Sequence, residues 1–205
     1  MTIQWNKVTW YSKLLAVILF VLTFYVAFSL GASWGENKTK INPTIIPTIT
    51  SKGFSIPPPA GYAIDESYTY QALGPGKDIK GIKFTIPASL RAGTNLSSDS
   101  YISVETIPGA INSCSAEIYL GNPKSAGFTD ENGHRFSVAT SSDAAAGNRY
   151  DETVYATPFT NGCLAVRYFI HYGAIENYPA GTIKQFDEQA LLNQFDKIRH
   201  TLVVE

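Results

Sequence analysis

Histidine, cysteine and recognisable catalytic signatures are scarce in this chain. Of its 205 residues three are histidines, His134, His171 and His200, spaced far apart. No HExxH, CxxC, P-loop or GxSxG pattern occurs. A metal site built from spaced Cys/His pairs is thereby excluded, and no cofactor is expected. Lysine and arginine never cluster after residue 52, which argues against nucleic acid as a partner. No internal repeat or low-complexity tract is present. The most consequential absence is that of charge between Lys13 and Glu36, where 22 consecutive residues, LLAVILFVLTFYVAFSLGASWG, carry none.

As a helix rising about 1.5 Å per residue this stretch spans roughly 33 Å, enough to cross a hydrocarbon core of about 30 Å. Residues 14–35 therefore read as a transmembrane anchor in contact with the lipid bilayer. The three tryptophans, Trp5, Trp10 and Trp34, all lie beside it, and Trp10 and Trp34 bracket it where the membrane interfaces fall. The first 13 residues are basic, so Lys7 and Lys13 favour an amino terminus in the cytoplasm and a carboxy-terminal domain in the periplasm or outside the cell. A cleaved signal peptide is the rival reading, with Ala27-Phe28-Ser29 or Gly31-Ala32-Ser33 as the cleavage site. Against it, the apolar run exceeds the usual h-region of about 7–15 residues. No cysteine follows the run, which excludes a cysteine-linked lipid anchor.

The net charge of −1 conceals a division. Residues 1–52 carry five lysines against Glu36, a net of +4, while residues 53–205 carry 11 basic and 16 acidic side chains, a net of −5. A basic tail beside an acidic domain suits a membrane surface. Residues 36–60 hold Pro43, Pro47 and the run Pro57-Pro58-Pro59 among Thr and Ile, and read as an extended stalk, part of which can pack on the domain. Residues 61–205 are of single-domain size. Both cysteines, Cys114 and Cys163, lie there. In an oxidising compartment they form a disulfide; otherwise they are two buried thiols.

The domain reads as α+β, with a mainly antiparallel sheet. Strands are expected at Tyr62–Tyr70, Gly81–Ile86, Tyr101–Ile107 and Arg135–Thr140, with SSDAAAGNR as a polar connection. A hairpin joins Tyr150–Phe159 to Cys163–Tyr172 through Thr160-Asn161-Gly162, with Asn161 and Gly162 expected at positive φ. In its second strand Leu164, Val166, Tyr168, Ile170 and Tyr172 share one face, and Cys163, Ala165, Arg167, Phe169 and His171 the other. SCSAEIYL around Cys114 forms a short helix. The last helix is capped by Asp187, stapled by Phe186 and Leu191, and carries the stripe Leu191, Phe195, Ile198 and Leu202, which must lie on the sheet.

The aromatic strand, polar connection and closing segment FDKIRHTLVV, with Phe195 and Ile198 in the helix and Thr201-Leu202 leading to a final short strand, resemble the end of PsbP-like domains. These are extrinsic photosystem proteins and their non-photosynthetic relatives. The resemblance implies an antiparallel sheet between helices and an accessory or assembly role without catalysis; none of the family's binding residues matches a position here. The chain as a whole also resembles uncharacterised bacterial membrane-anchored proteins.

The candidate chemistry lies in Arg167–Tyr178, RYFIHYGAIENY. Arg167 can hold an anion, His171 with Glu176 can move a proton, and Tyr172 and Tyr178 can stack on a ligand. The alternative is a sheet face of ordinary side chains, with Glu176 neutralising Arg167 or His171. His200 suits a helix carboxyl end. Ser97-Ser98-Asp99 with a distant histidine makes no triad. Three functions stand in order: an anchored accessory protein with a membrane or envelope partner, a small-ligand-binding domain, and a hydrolase using His171 and Glu176.

Overall fold

The computed structural model describes residues 10–38, 48–51 and 53–205. The chain divides into two units, Met1–Ile45 and Ile46–Glu205. The first holds helix α1, Trp10–Lys38. It starts four residues before the uncharged run and ends three beyond it, because a formed helix propagates through polar flanks at little cost. Every side chain from Trp10 to Leu30 is exposed, and this span is strongly apolar, with a mean hydropathy of 2.3. Such a surface is stable in lipid. Trp10 stands at its start, 62% exposed. The side chain of Trp34, the first nine residues and the middle of the expected stalk, 39–47, fall outside the description.

In the second unit the strands are β1 (Ile49–Ser51), β2 (Phe54–Ile56), β3 (Ala63–Asp65), β4 (Thr69–Tyr70), β5 (Ile79–Thr85), β6 (Tyr101–Pro108), β7 (Ser125–Glu131), β8 (His134–Ala145), β9 (Asn148–Phe159), β10 (Gly162–Gly173) and β11 (Val203–Val204). Helix α2 is the single turn Ala88–Arg91 and helix α3 runs Glu188–Arg199. The main sheet has the order β3-β5-β6-β10-β9-β8-β7, with β4 also paired to β5, and every pairing is antiparallel. A second, three-stranded sheet has the order β1-β2-β11. The coarse α+β expectation therefore holds.

The stalk boundary requires correction. Phe54 and Ile56 are buried in the same core as Phe159, Leu164 and Phe195, so the domain begins at β1 and not at residue 61. Within the segment expected to be a stalk, Ile49–Ser51 and Phe54–Ile56 are extended because they are β-strands.

The two faces of β10 are as the alternation predicts. Leu164, Val166, Tyr168 and Ile170 join Ile82, Phe84, Ile102 and Val104 under α3 and the small sheet. Leu191, Phe195, Ile198 and Leu202 of the helical stripe fill this core, and Phe195 is wholly buried. Asp187 caps α3 by accepting from the Ala190 N–H at 2.9 Å. Asp187→Ala is expected to cost about 1 kcal/mol in urea unfolding, with no change in the disulfide or the sheet.

Cys163 and Ala165 face the opposite side, where Ala116, Tyr119 and Leu120 form a smaller core. The expected helix there is one 3-10 turn, Ala116–Tyr119. The Cys114–Cys163 disulfide, across a sequence separation of 49, clamps this segment to β10.

The turns differ most from expectation. Asn161 and Gly162 do not adopt positive φ; β9 and β10 are joined by Thr160 and Asn161, and Gly162 opens β10. Gly162 is needed for space, since a Cβ would lie 2.3 Å from the Ile107 carbonyl oxygen on β6. Positive φ occurs instead at Asn132-Gly133, between β7 and β8, and at Ala146-Gly147, between β8 and β9. The segment SSDAAAGNR is accordingly not a connection but the far end of the β8–β9 hairpin.

Candidate functional site

Strand β10 occupies the middle of the main sheet and carries three of the five expected ligand-binding residues, Arg167, His171 and Tyr172. The structure does not bring the five together.

Arg167 is completely buried on the face under the 3-10 turn. Its Nε and Nη2 donate to the two carboxylate oxygens of Glu105 at 2.8 and 2.9 Å, and Nη2 also donates to the Tyr119 carbonyl at 2.7 Å. Nη1 donates to Glu152. The guanidinium lies 3.6 Å from the centre of the Tyr70 ring. Glu105 accepts further from Ser103 Oγ at 2.7 Å, and Tyr70 OH donates to Glu152 at 3.2 Å. Burial alone would pull the arginine pKa down; the charge and hydrogen bonds of Glu105, with the charge of Glu152, more than reverse this, and the net direction is upward. Burial likewise pushes the Tyr70 hydroxyl up to about 12. This arginine is fixed as a cation and spends its donors inside the fold. It is not an anion site, and Glu176 is not its counter-ion.

His171, on the same face, has its Nδ1 2.8 and 2.9 Å from the two oxygens of Asp99 and its ring stacked on Tyr150, centroids 4.4 Å apart. Its Nε2 is buried without a hydrogen-bond partner. Asp99, not Glu176, is therefore its carboxylate. Ser100 Oγ bonds only the main chain of residue 171, accepting from its N–H and donating to its carbonyl, so a serine–histidine–aspartate relay is not assembled. The ring continues a row of neighbouring aromatic side chains, stacked at His171–Tyr150 and Phe169–Tyr101, tilted at Tyr150–Phe169 and edge-on at Tyr101–Tyr68.

Tyr172 points to the other face. Its OH donates to Asp151 at 3.0 Å, its ring packs on Phe186, and its pKa is pushed up to about 12, first by burial and then by Asp151. It borders an open cavity of about 550 Å3 shared with Lys124, Asp143, Arg149 and Asp151. Glu176 is exposed in a 3-10 turn, and Tyr178 lays its ring against Gly173.

A second buried arginine braces the helical side. Arg199 donates to Tyr168 OH at 2.7 Å, to Asp196 at 3.0 Å and to Glu131, and its guanidinium sits 3.9 Å from the centre of the Tyr155 ring. His200 caps the end of α3 and lies 3.2 Å from Glu131. Sequence reasoning gave no role to Glu105, Glu152 or Asp99 as partners, because each meets its cation only through strand register. Asn95, which opens the glycosylation-like triplet Asn95-Leu96-Ser97, is buried with its amide bonded to Gly173, Gln185 and Phe186, which leaves no room for a glycan. Among the described residues no group of three or more His, Cys, Asp or Glu side chains is placed to hold a metal ion.

No protein-family model matches the chain, and no curated protein matches it either. A solved crystal structure from Bacteroides thetaiotaomicron VPI-5482 is similar over 77% of this chain, at 12% identity and a TM-score of 0.44. The match spans about half of that protein, 48% of its length.

Proposed function

We propose that this chain is a non-catalytic, membrane-anchored accessory protein. Its amino terminus lies in the cytoplasm, and its α+β domain meets a partner in the envelope or membrane. The observation that carries this reading is the direction of the domain's chemistry: Arg167, Arg199 and His171 are each engaged by carboxylates within the fold. What the domain turns outward is sheet edge, hairpin and acidic surface. The long apolar helix supports an anchor and the disulfide supports an oxidising compartment. The resemblance of the closing strand and helix to PsbP-like domains points to the same kind of role.

Two measurements test it. Protease added outside spheroplasts is expected to remove the domain and leave a short amino-terminal fragment; a protected domain overturns the orientation. Gentle solubilisation and affinity capture from native membranes is expected to return the same second protein repeatedly, and recovery of this chain with nothing else overturns the accessory role.

The cavity beside Tyr172 favours a second reading, a site for a small zwitterion, since Lys124 and Arg149 face Asp143 and Asp151 around it. Millimolar free amino acids would then raise the unfolding temperature of the full chain, and an unchanged temperature removes this reading.

A further inference from the structure

Strand β7 is the last strand of the main sheet, and among the described residues nothing pairs with its outer edge. Edge strands left open in this way are templates for pairing with another chain. We propose that β7 pairs antiparallel with β7 of a second copy of this chain, about a two-fold axis through Gly127, joining two main sheets into one.

The commitment to a second copy comes from the pattern of the strand with its preceding residue, KSAGFTD over residues 124–130. Turned about Gly127, it matches itself at each position. Lys124 lies opposite the second copy's Asp130, Ser125 opposite its Thr129, and Ala126 opposite its Phe128. The pairing also keeps every side chain on its own face, because positions 124, 126, 128 and 130 alternate together along a strand. Both ends thus gain an opposite-charge pair, and the large Phe128 meets the small Ala126.

The structure leaves these groups available. Lys124 and Asp130 are exposed, and neither makes an ion pair among the described residues. Phe128 is 68% exposed, with the Arg135 guanidinium 4.5 Å from its ring centre. Gly127 has no positive φ to justify it, and a Cβ built there meets nothing within 4 Å. A side chain placed at Gly127 is therefore accommodated by the described residues, which makes the axis position open to a cysteine probe. Charges at strand ends are also a common guard against such pairing; a guard has no need to match itself in register.

A seven-residue edge is small beside a stable soluble interface. Confinement of both copies to one membrane raises their effective concentration, and a weak edge contact then suffices. The inference rests on the anchor reading for that step alone and is independent of whether a different protein also binds.

The test uses full-length chains bearing two different tags, co-expressed and captured from membranes by one tag. Asp130→Lys sets lysine against lysine twice and is expected to reduce co-recovery of the second tag at least tenfold. The exchange Lys124→Asp with Asp130→Lys restores opposite charges and is expected to bring co-recovery back to within about twofold of the parent. Gly127→Cys is expected to give an oxidised covalent dimer, and Ser142→Cys none. All these positions are exposed, and intact disulfide and unchanged unfolding temperature report folding. Co-recovery that is absent in the parent, or indifferent to Asp130→Lys, or not rescued by the exchange, overturns the pairing. So does failure of Gly127→Cys to cross-link while the tags still co-purify, which would assign self-association to another surface.

Discussion

Arg167→Ala is expected to destabilise the domain by about 3–5 kcal/mol, lowering its unfolding temperature by on the order of 10 °C. The loss comes less from the missing attraction than from what remains. Glu105 is wholly buried, and without the guanidinium its charge keeps only the Ser103 hydroxyl. The Tyr119 carbonyl also loses its donor. If this account is right, removing both charges together should cost far less than removing one. Arg167→Met with Glu105→Leu is therefore expected to recover more than half of the deficit. All three tryptophans lie in the first unit, so near-ultraviolet dichroism of the tyrosines is the signal to follow through urea unfolding of the full chain. A single variant as stable as the parent would show that Arg167 is dispensable to the fold and would reopen it as a binding residue.

Reduction of the disulfide, or the pair Cys114→Ser and Cys163→Ala, is expected to cost about 4 kcal/mol, the loop-closure entropy that a bridge across some fifty residues removes from the unfolded chain. The same urea experiment, with and without reductant, measures it. This loss and that of Arg167→Ala are not expected to add. The bridge and the arginine both hold the 3-10 turn against β10, one at Cys114 and the other at the Tyr119 carbonyl. Once the turn lifts, water reaches the ion pair and the burial that made the second change costly is gone. Full additivity would mean that the turn stays seated without its bridge.

The parts of the molecule legible in sequence are those decided by short-range period. The uncharged run, the alternation along β10 and the stripe of α3 need only residues within a few positions of one another; the run forms one long apolar helix, and the alternation and the stripe appear as read. The arginine network was invisible for the opposite reason. Glu105 and Glu152 lie 62 and 15 residues from Arg167, and only the pairing of β10 with β6 and β9 brings them to it. Asp99 reaches His171 across 72 residues in the same way. Proximity in sequence favoured Glu176, which the chain carries away into an exposed turn.

Strand β7 and the far half of the β8–β9 hairpin were missed because Ser, Ala and Gly give little β signal, while pairing with a neighbouring strand holds them extended regardless. The turns show a related limit. Asn132-Gly133 and Asn161-Gly162 are the same dipeptide. The first is a positive-φ turn; the second places its glycine in the strand because β6 crowds it. Dipeptide chemistry allows both outcomes, and a neighbouring strand chooses between them.

The pairing of β2 with β11 joins Phe54 to Val204 and Ser55 to Val203, partners about 150 positions apart. During synthesis the amino-terminal side of the domain emerges first, so β2 must wait for almost the whole domain to follow before that edge is satisfied. Phe54 and Ile56 meanwhile lack the part of their core that α3 supplies, because α3 arrives just ahead of β11. The domain is thus laced shut by its last strand. Closure of this core is therefore a late event, and a chain stopped near residue 200 would leave β2 without its β11 partner.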